Sequence, residues 1–150
     1  MKFSASVLAL LAVVSSVSAA AISPLTPSDV SVAGTEEYTH TLEKRVNGDI
    51  TWYDAQAGYT ACGLLVQNTS FTVAVSAARY DSTAVDGNPN HNRICGRKIR
   101  LRGPLRTLDG FVRDRCAGCK HDDVDVTPTL FQQLVGPLGL GRRQISWDFV

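Results

Sequence analysis

Apolar and polar positions alternate over short runs through the last two thirds of the chain. Residues 98–102, Lys-Ile-Arg-Leu-Arg, follow a strict period of two, so Ile99 and Leu101 face a core while Lys98, Arg100 and Arg102 share the other face. Residues 71–75 (Phe-Thr-Val-Ala-Val) alternate in the same way, and residues 50–53 (Ile-Thr-Trp-Tyr) are β-branched and aromatic. Residues 103–110 turn the chain and residues 110–114 return it, while residues 144–150 predict a closing strand. Residues 54–63 form a small-residue loop containing Cys62, and residues 81–92 a long loop that turns at Gly87-Asn88-Pro89-Asn90. One helix is predicted, over residues 127–134. Pro128 suits its first turn, Thr127 or Asp125 is available to cap it, and Leu130, Phe131 and Leu134 make its apolar face. Many short strands and one short helix predict an all-β fold, a small closed barrel.

The first 45 residues do not follow this pattern. Met1-Lys2-Phe3 leads into an apolar stretch, residues 7–14, and then into small residues through Ala19-Ala20-Ala21, the layout of a secretory signal over residues 1–20. That stretch is too short to span a bilayer, and no later run approaches the roughly 20 apolar residues a membrane helix needs, so no membrane role is expected. Residues 21–43 carry Asp29, Glu36, Glu37 and Glu43 but no Lys or Arg, and are followed by Lys44-Arg45. The dibasic pair resembles a kexin-type processing site, which predicts a pro-segment over residues 21–45 and a mature domain over residues 46–150. A secreted, extracellular or cell-wall-associated protein is expected.

Composition narrows the chemistry. The 150 residues are 44% hydrophobic and 19% charged with a formal net charge of +1, an ordinary globular balance. Residues 46–150 hold ten Asp and no Glu against ten Arg and two Lys, a net of +2. Any carboxylate catalysis must therefore use Asp. His91 and His121 are the imidazoles of this region, no Gly-x-Ser-x-Gly elbow is present, and Gly136, Gly139 and Gly141 are interrupted by Pro137 and followed by a strand, so serine-triad and phosphate-loop chemistry are not expected. A secreted chain of small net charge is a poor nucleic-acid binder.

Cys62, Cys95, Cys116 and Cys119 all fall in this region, an even number in an exported chain, which favours two disulfides. Three pairings are arithmetically possible. Cys116-Ala117-Gly118-Cys119 lacks the helix a thioredoxin-like motif requires and the second ligand pair that zinc requires, so neither a metal nor a cofactor is expected.

Seven motifs then occur in series: Gly48-Asp49-Ile50-Thr51-Trp52-Tyr53, Ala61-Cys62-Gly63, Val73-Ala74-Val75-Ser76, Ile94-Cys95-Gly96, Val112 to Cys119, Val124-Asp125-Val126-Thr127-Pro128, and Phe131. Their order resembles RlpA-like double-psi β-barrel proteins, most of all small fungal expansin-like proteins of the loosenin type, and more distantly barwin, expansins and family 45 glycoside hydrolases. The resemblance covers residues 48–150 and implies a six-stranded double-psi β-barrel with one short helix, whose open groove binds an extended polysaccharide.

Carried over position by position, the resemblance implies groove residues at Thr51 and Tyr53, with Tyr59 a further stacking candidate. It places the strand Asp before the Cys pair at Asp114, and the Asp required for activity, the general acid of the hydrolases, at Asp125. Two neighbouring carboxylates cannot both ionise freely, so one is expected to hold a proton and donate to a glycosidic oxygen. Inverting hydrolysis also needs a separate base, and the nearest carboxylate, Asp54, is one residue out of step, which on a strand turns it to the opposite face. Asp49 reads as a strand-start residue. Cys62–Cys95 and Cys116–Cys119 are the expected pairings.

Trp52 and Trp147 read as barrel-wall or core aromatics rather than sugar platforms. Lys98, Arg100 and Arg102, with Arg93, Arg97 and Arg106 nearby, read either as a solvated edge strand that discourages aggregation or as a surface for acidic wall polymers. Asn68-Thr69-Ser70 is a glycosylation sequon at Asn68. No second, aromatic-rich binding domain follows the barrel, so weak rather than tight anchoring to cellulose is expected. The function expected is a monomeric, secreted expansin-like protein that loosens cell-wall polysaccharide (cellulose, chitin, pectin or peptidoglycan) without cutting it. The alternatives are a weak glycoside hydrolase or lytic transglycosylase using Asp125, and a secreted effector or interaction protein on the same barrel.

Overall fold

The computed structural model describes residues 44–150. The expected signal segment and all of the expected pro-segment except Lys44 and Arg45 lie outside the described residues. Six strands form the barrel: β1 (Val46–Trp52), β2 (Thr72–Ser76), β3 (Lys98–Arg102), β4 (Thr107–Cys116), β5 (Val124–Val126) and β6 (Arg143–Phe149). They close in the order β1-β5-β2-β4-β3-β6. The pairs β1/β5 and β2/β4 are parallel and the other four contacts antiparallel.

Alternation determines which side chains fill the barrel. Val73 and Val75 of β2, Ile99 and Leu101 of β3, Val112 of β4, Val124 and Val126 of β5, and Ile145, Trp147 and Phe149 of β6 are all buried with Ile50 of β1. Full burial of a Val or Ile side chain contributes about 1.5–3 kcal/mol, so these positions dominate the stability of so small a barrel. Helix α2 (Pro128–Leu134) adds Leu130, Phe131 and Leu134 to the same cluster. Pro128 occupies its first turn as expected and Thr127 holds the N-cap position, but its hydroxyl makes no cap and donates instead to the Ser70 carbonyl, while Asp125 lies within β5. A second short helix, α1 (Ala77–Asp81), follows β2 where no helix was predicted, capped by Ser76 accepting from the Arg79 amide.

The edge-strand reading of β3 is overturned. Closure pairs β3 with β4 on one side and β6 on the other, so it has no free edge, and its charges are matched rather than merely solvated. Arg100 bonds both oxygens of Asp109 at 2.7 and 2.9 Å, Lys98 lies 3.6 Å from the same carboxylate, and Arg102 pairs with Asp148.

Trp147 is buried as expected; its indole donates to the Asp122 carbonyl at 2.8 Å and Arg79 stacks 4.7 Å from its ring centroid. Gly48 lets β1 approach the same carbonyl, since a Cβ there would come within 1.9 Å of the Asp122 oxygen. Both expected disulfides are present. Cys62–Cys95 ties the loop after β1 to the segment before β3, against the buried Tyr80, and Cys116–Cys119 closes the turn after β4.

Candidate functional site

Register brings residues from four strands into one lateral row. Thr51 of β1 pairs with Asp125 of β5, Asp125 with Ala74 of β2, and Ala74 with Asp114 of β4. Laterally paired residues project to one face, and the valines beside them point into the core, so this row lies on the outer wall. Asp114 reaches it through a register shift: Val73 pairs with Val112 but Ala74 with Asp114, leaving Arg113 as the extra residue of a bulge. Such bulges re-aim side chains. The two aspartates thus flank Ala74, with α-carbons two strand spacings or roughly 10 Å apart.

Each member of the row is tied down. The Thr51 hydroxyl donates to Asp125 Oδ1 at 2.9 Å. The Tyr53 hydroxyl donates to Asp114 Oδ2 at 2.9 Å, and the amides of Ala61 and Arg115 both donate to Asp114 Oδ1 at 2.8 Å. Four of the five expected catalytic and groove residues, Thr51, Tyr53, Asp114 and Asp125, therefore form one constellation. Burial pushes the Asp125 carboxyl above the usual Asp range, and the charge of Asp114 adds to this, against the opposing effects of the Thr51 hydroxyl, the Val126 amide and Arg142. Burial, followed by the Asp114 charge, pushes the Tyr53 phenol far up, so it remains a donor throughout the neutral range.

Beside the row opens a cleft of about 250 Å³ lined by Tyr53, Asp114 and the loop residues Asp54, Ala55, Ala57, Gly58, Tyr59 and Thr60. Tyr59, 76% exposed, sets an aromatic ring at its edge. Asp54 corrects the alternation argument: β1 ends at Trp52, so strand parity no longer governs residue 54, and its carboxylate lines the same cleft as Asp114. Asp54 Oδ1 caps a short 3-10 turn, Ala55–Ala57, through the Gln56 amide, and also accepts from Asn68 Nδ2 at 2.9 Å. These bonds hold its carboxyl below the usual range. Asn68 braces the loop further by accepting from the Ala55 amide at 2.9 Å. Trp52 is 38% exposed and so lies on the barrel wall, not in the core, with its indole donating to the Leu138 carbonyl at 3.0 Å.

Sequence reasoning did not single out Ala74, Thr60 or the bracing role of Asn68. Ala74 was visible only as the small, outward residue between two valines. No group of three or more His, Cys, Asp or Glu side chains that could hold a metal occurs among the described residues.

The closed six-stranded barrel with two parallel pairs, its lateral row running across four strands, defines the double-psi β-barrel class. No family model matches the chain. It is 30% identical to a papain inhibitor from Streptomyces mobaraensis over 73% of this chain and 74% of that protein. The solved structure of Streptomyces papain inhibitor superposes with a TM-score of 0.64, covering 73% of this chain and 97% of that one. An expansin from Clavibacter michiganensis, a mutant in complex with cellohexaose, superposes at 0.59 with 25% identity over 71% of this chain and 50% of the expansin. A homologue of the allergen Asp f 7 from Arthroderma benhamiae is 31% identical over 59% of this chain and 28% of its own length. The chain belongs to the expansin-like double-psi β-barrel family.

Proposed function

We propose that the outer row of Thr51, Asp125, Ala74 and Asp114, with its adjoining cleft, binds an extended cell-wall polysaccharide and loosens its packing without hydrolysing it. The protein acts outside the cell. The observation that carries this reading is the pairing in register of two carboxylates across Ala74, one of them pushed toward its protonated form. The similar expansin in complex with cellohexaose supports it. Asp125 donates a hydrogen bond to a glycosidic oxygen, while the aromatic face of Tyr59 stacks on a sugar ring. Asp114 is a poor base for water because three donors occupy its oxygens. Asp54 is a weak base because its carboxyl is held low.

The test is a pull-down of the purified protein on cellulose, chitin, pectin and peptidoglycan, with soluble sugar assayed in the same tubes and Asp125→Asn alongside. Binding without sugar release is expected. Sugar release that vanishes in the variant would overturn the non-hydrolytic reading and make Asp125 a catalytic acid.

One observation favours a second reading, inhibition of a papain-like protease. The loop carrying Tyr59, Leu64 and Leu65 is exposed at 76%, 46% and 65%, and Cys62–Cys95 pins it from within. A rigid, apolar, projecting loop has the form a protease cleft accepts, and the similarity to a papain inhibitor gives the partner class. Titration of papain activity tests it, with Leu64→Asp and Leu65→Asp expected to abolish any inhibition.

A further inference from the structure

Charge pairing on the barrel is uneven. Residues 46–150 contain ten aspartates. Six meet an Arg or Lys: Asp49 and Asp123 share Arg142, Asp81 meets Arg115, Asp109 meets Arg100, Asp122 meets Arg79 and Asp148 meets Arg102. Asp86 meets His91 at 2.9 Å. The remaining three, Asp54, Asp114 and Asp125, form no direct ion pair among the described residues, Arg142 acting on Asp125 only from farther off, and Asp54 and Asp114 line the cleft. No Lys, Arg or His lines the cleft.

A domain of net charge +2 thus places two carboxylates that lack a direct ion pair, Asp54 and Asp114, in one cleft, where their fields add. Asp54 Oδ1 is engaged by the Gln56 amide and Asn68, whereas its Oδ2 accepts no hydrogen bond among the described residues. A neutral glucan offers these carboxylates hydroxyl donors but no opposite charge, and an acidic polymer such as pectin is repelled by them. A polymer carrying ammonium groups neutralises them. Tyr59 on the rim supplies a ring face for a pyranose, which a flexible basic peptide does not require.

We propose that the groove selects a cationic amino-sugar polymer, β-linked glucosamine with free amines as in deacetylated chitin, over its neutral and acidic counterparts. This rests on the reading that the groove takes an extended polysaccharide, and it names the chemical class. Asp54 and Asp114 provide the charge facing the ammonium groups, while Asp125 makes the hydrogen bond described above.

The experiment measures binding of the full chain to hexamers of glucosamine, N-acetylglucosamine and glucose by calorimetry at about pH 5, where amines are cationic and an ordinary Asp is ionised. Hexalysine serves as a peptide control. The glucosamine hexamer is expected to bind about tenfold tighter than either neutral hexamer at low salt. That preference should shrink to about twofold at about 0.5 M salt, where screening is strong. Asp54→Asn should reduce the ratio about threefold, the scale of one exposed ion pair. Equal binding of all three sugars, or a preference indifferent to both salt and Asp54→Asn, overturns the inference and leaves the polysaccharide reading standing. Hexalysine binding as tightly as the glucosamine hexamer overturns it in favour of a basic peptide. If none of the sugars binds to protein whose circular dichroism is native, both readings fall.

Discussion

Asp125 and Asp114 stand on opposite sides of β2, each the register partner of Ala74. The smallest chiral side chain therefore forms the floor between two carboxylates. Ala74→Val keeps a good strand former but adds bulk to that floor, where Ala74 is already 97% covered, with 3% exposed. Polysaccharide pull-down is expected to fall about fivefold or more, with a stability loss of about 1–3 kcal/mol from overpacking. Undiminished binding by a folded Ala74→Val protein would show that ligand does not cross this row.

Tyr53→Phe removes one of the three donors to Asp114 and nothing else from the constellation. Because the phenol pKa is pushed far upward, the wild-type hydrogen bond persists across the neutral range. Loss of a bond to a charged acceptor costs about 1.5–3 kcal/mol, and urea unfolding should register it as a lower midpoint with an unchanged slope.

The raised pKa of Asp125 makes stability depend on pH in a defined direction. As pH rises, the unfolded chain gives up this proton first, near 4, while the folded protein still holds it. Stability attributable to this group is thus greatest below the unfolded value and declines as pH climbs through the folded value. Asp125→Asn cannot give up a proton in either state, so it removes this pH-dependent cost and should raise Tm at neutral pH, on the scale of about 0.5–2 kcal/mol usual for a stabilising substitution. The gain should vanish below about pH 4. A variant less stable than wild type at pH 7 would contradict this account.

The two disulfides should differ in worth. Cys62–Cys95 spans 33 residues and Cys116–Cys119 only 3. By loop-closure entropy, replacing the first pair with Ala should cost about 3–4 kcal/mol and the second about 2 kcal/mol or less. Thermal unfolding of the two double variants measures the difference.

Asn68 connects loop order to the cleft, since it serves the Ala55 amide, Asp54 and Gln56 at once. Asn68→Ala should therefore weaken ligand binding as well as stability, the latter by about 1–3 kcal/mol for the buried Ala55 amide it leaves unpaired. Occupancy of the sequon by glycan, read by mass spectrometry, should have a milder effect of the same sign, because it consumes one Nδ2 hydrogen and leaves Oδ1 free to accept.

What could be read from the chain followed the length of its periodic signals. Lys98 to Arg102 alternates strictly and is β3 without adjustment, and Pro128 marked the start of α2. β5 has three residues and α1 five, too few for either period to declare itself. The assignment of β3 as an edge failed because edge or interior status depends on β6, more than 40 residues away, closing onto it. Asp114 is the sharpest case. Alternation counted from the buried Val112 would have turned Arg113 outward to pair with β2, whereas the bulge puts Asp114 opposite Ala74. Family resemblance pointed to that position, which periodicity would have passed over.

The row of four residues also has a temporal meaning. Thr51 and Asp125 are separated by 74 positions and Tyr53 and Asp114 by 61, so no short fragment of the chain brings these partners together. Pairings that distant form slowly, because the intervening chain must be closed before they contribute. Ligand capture is therefore among the last properties the nascent domain acquires. A molecule that grips the proposed polymer has, by that fact, finished folding.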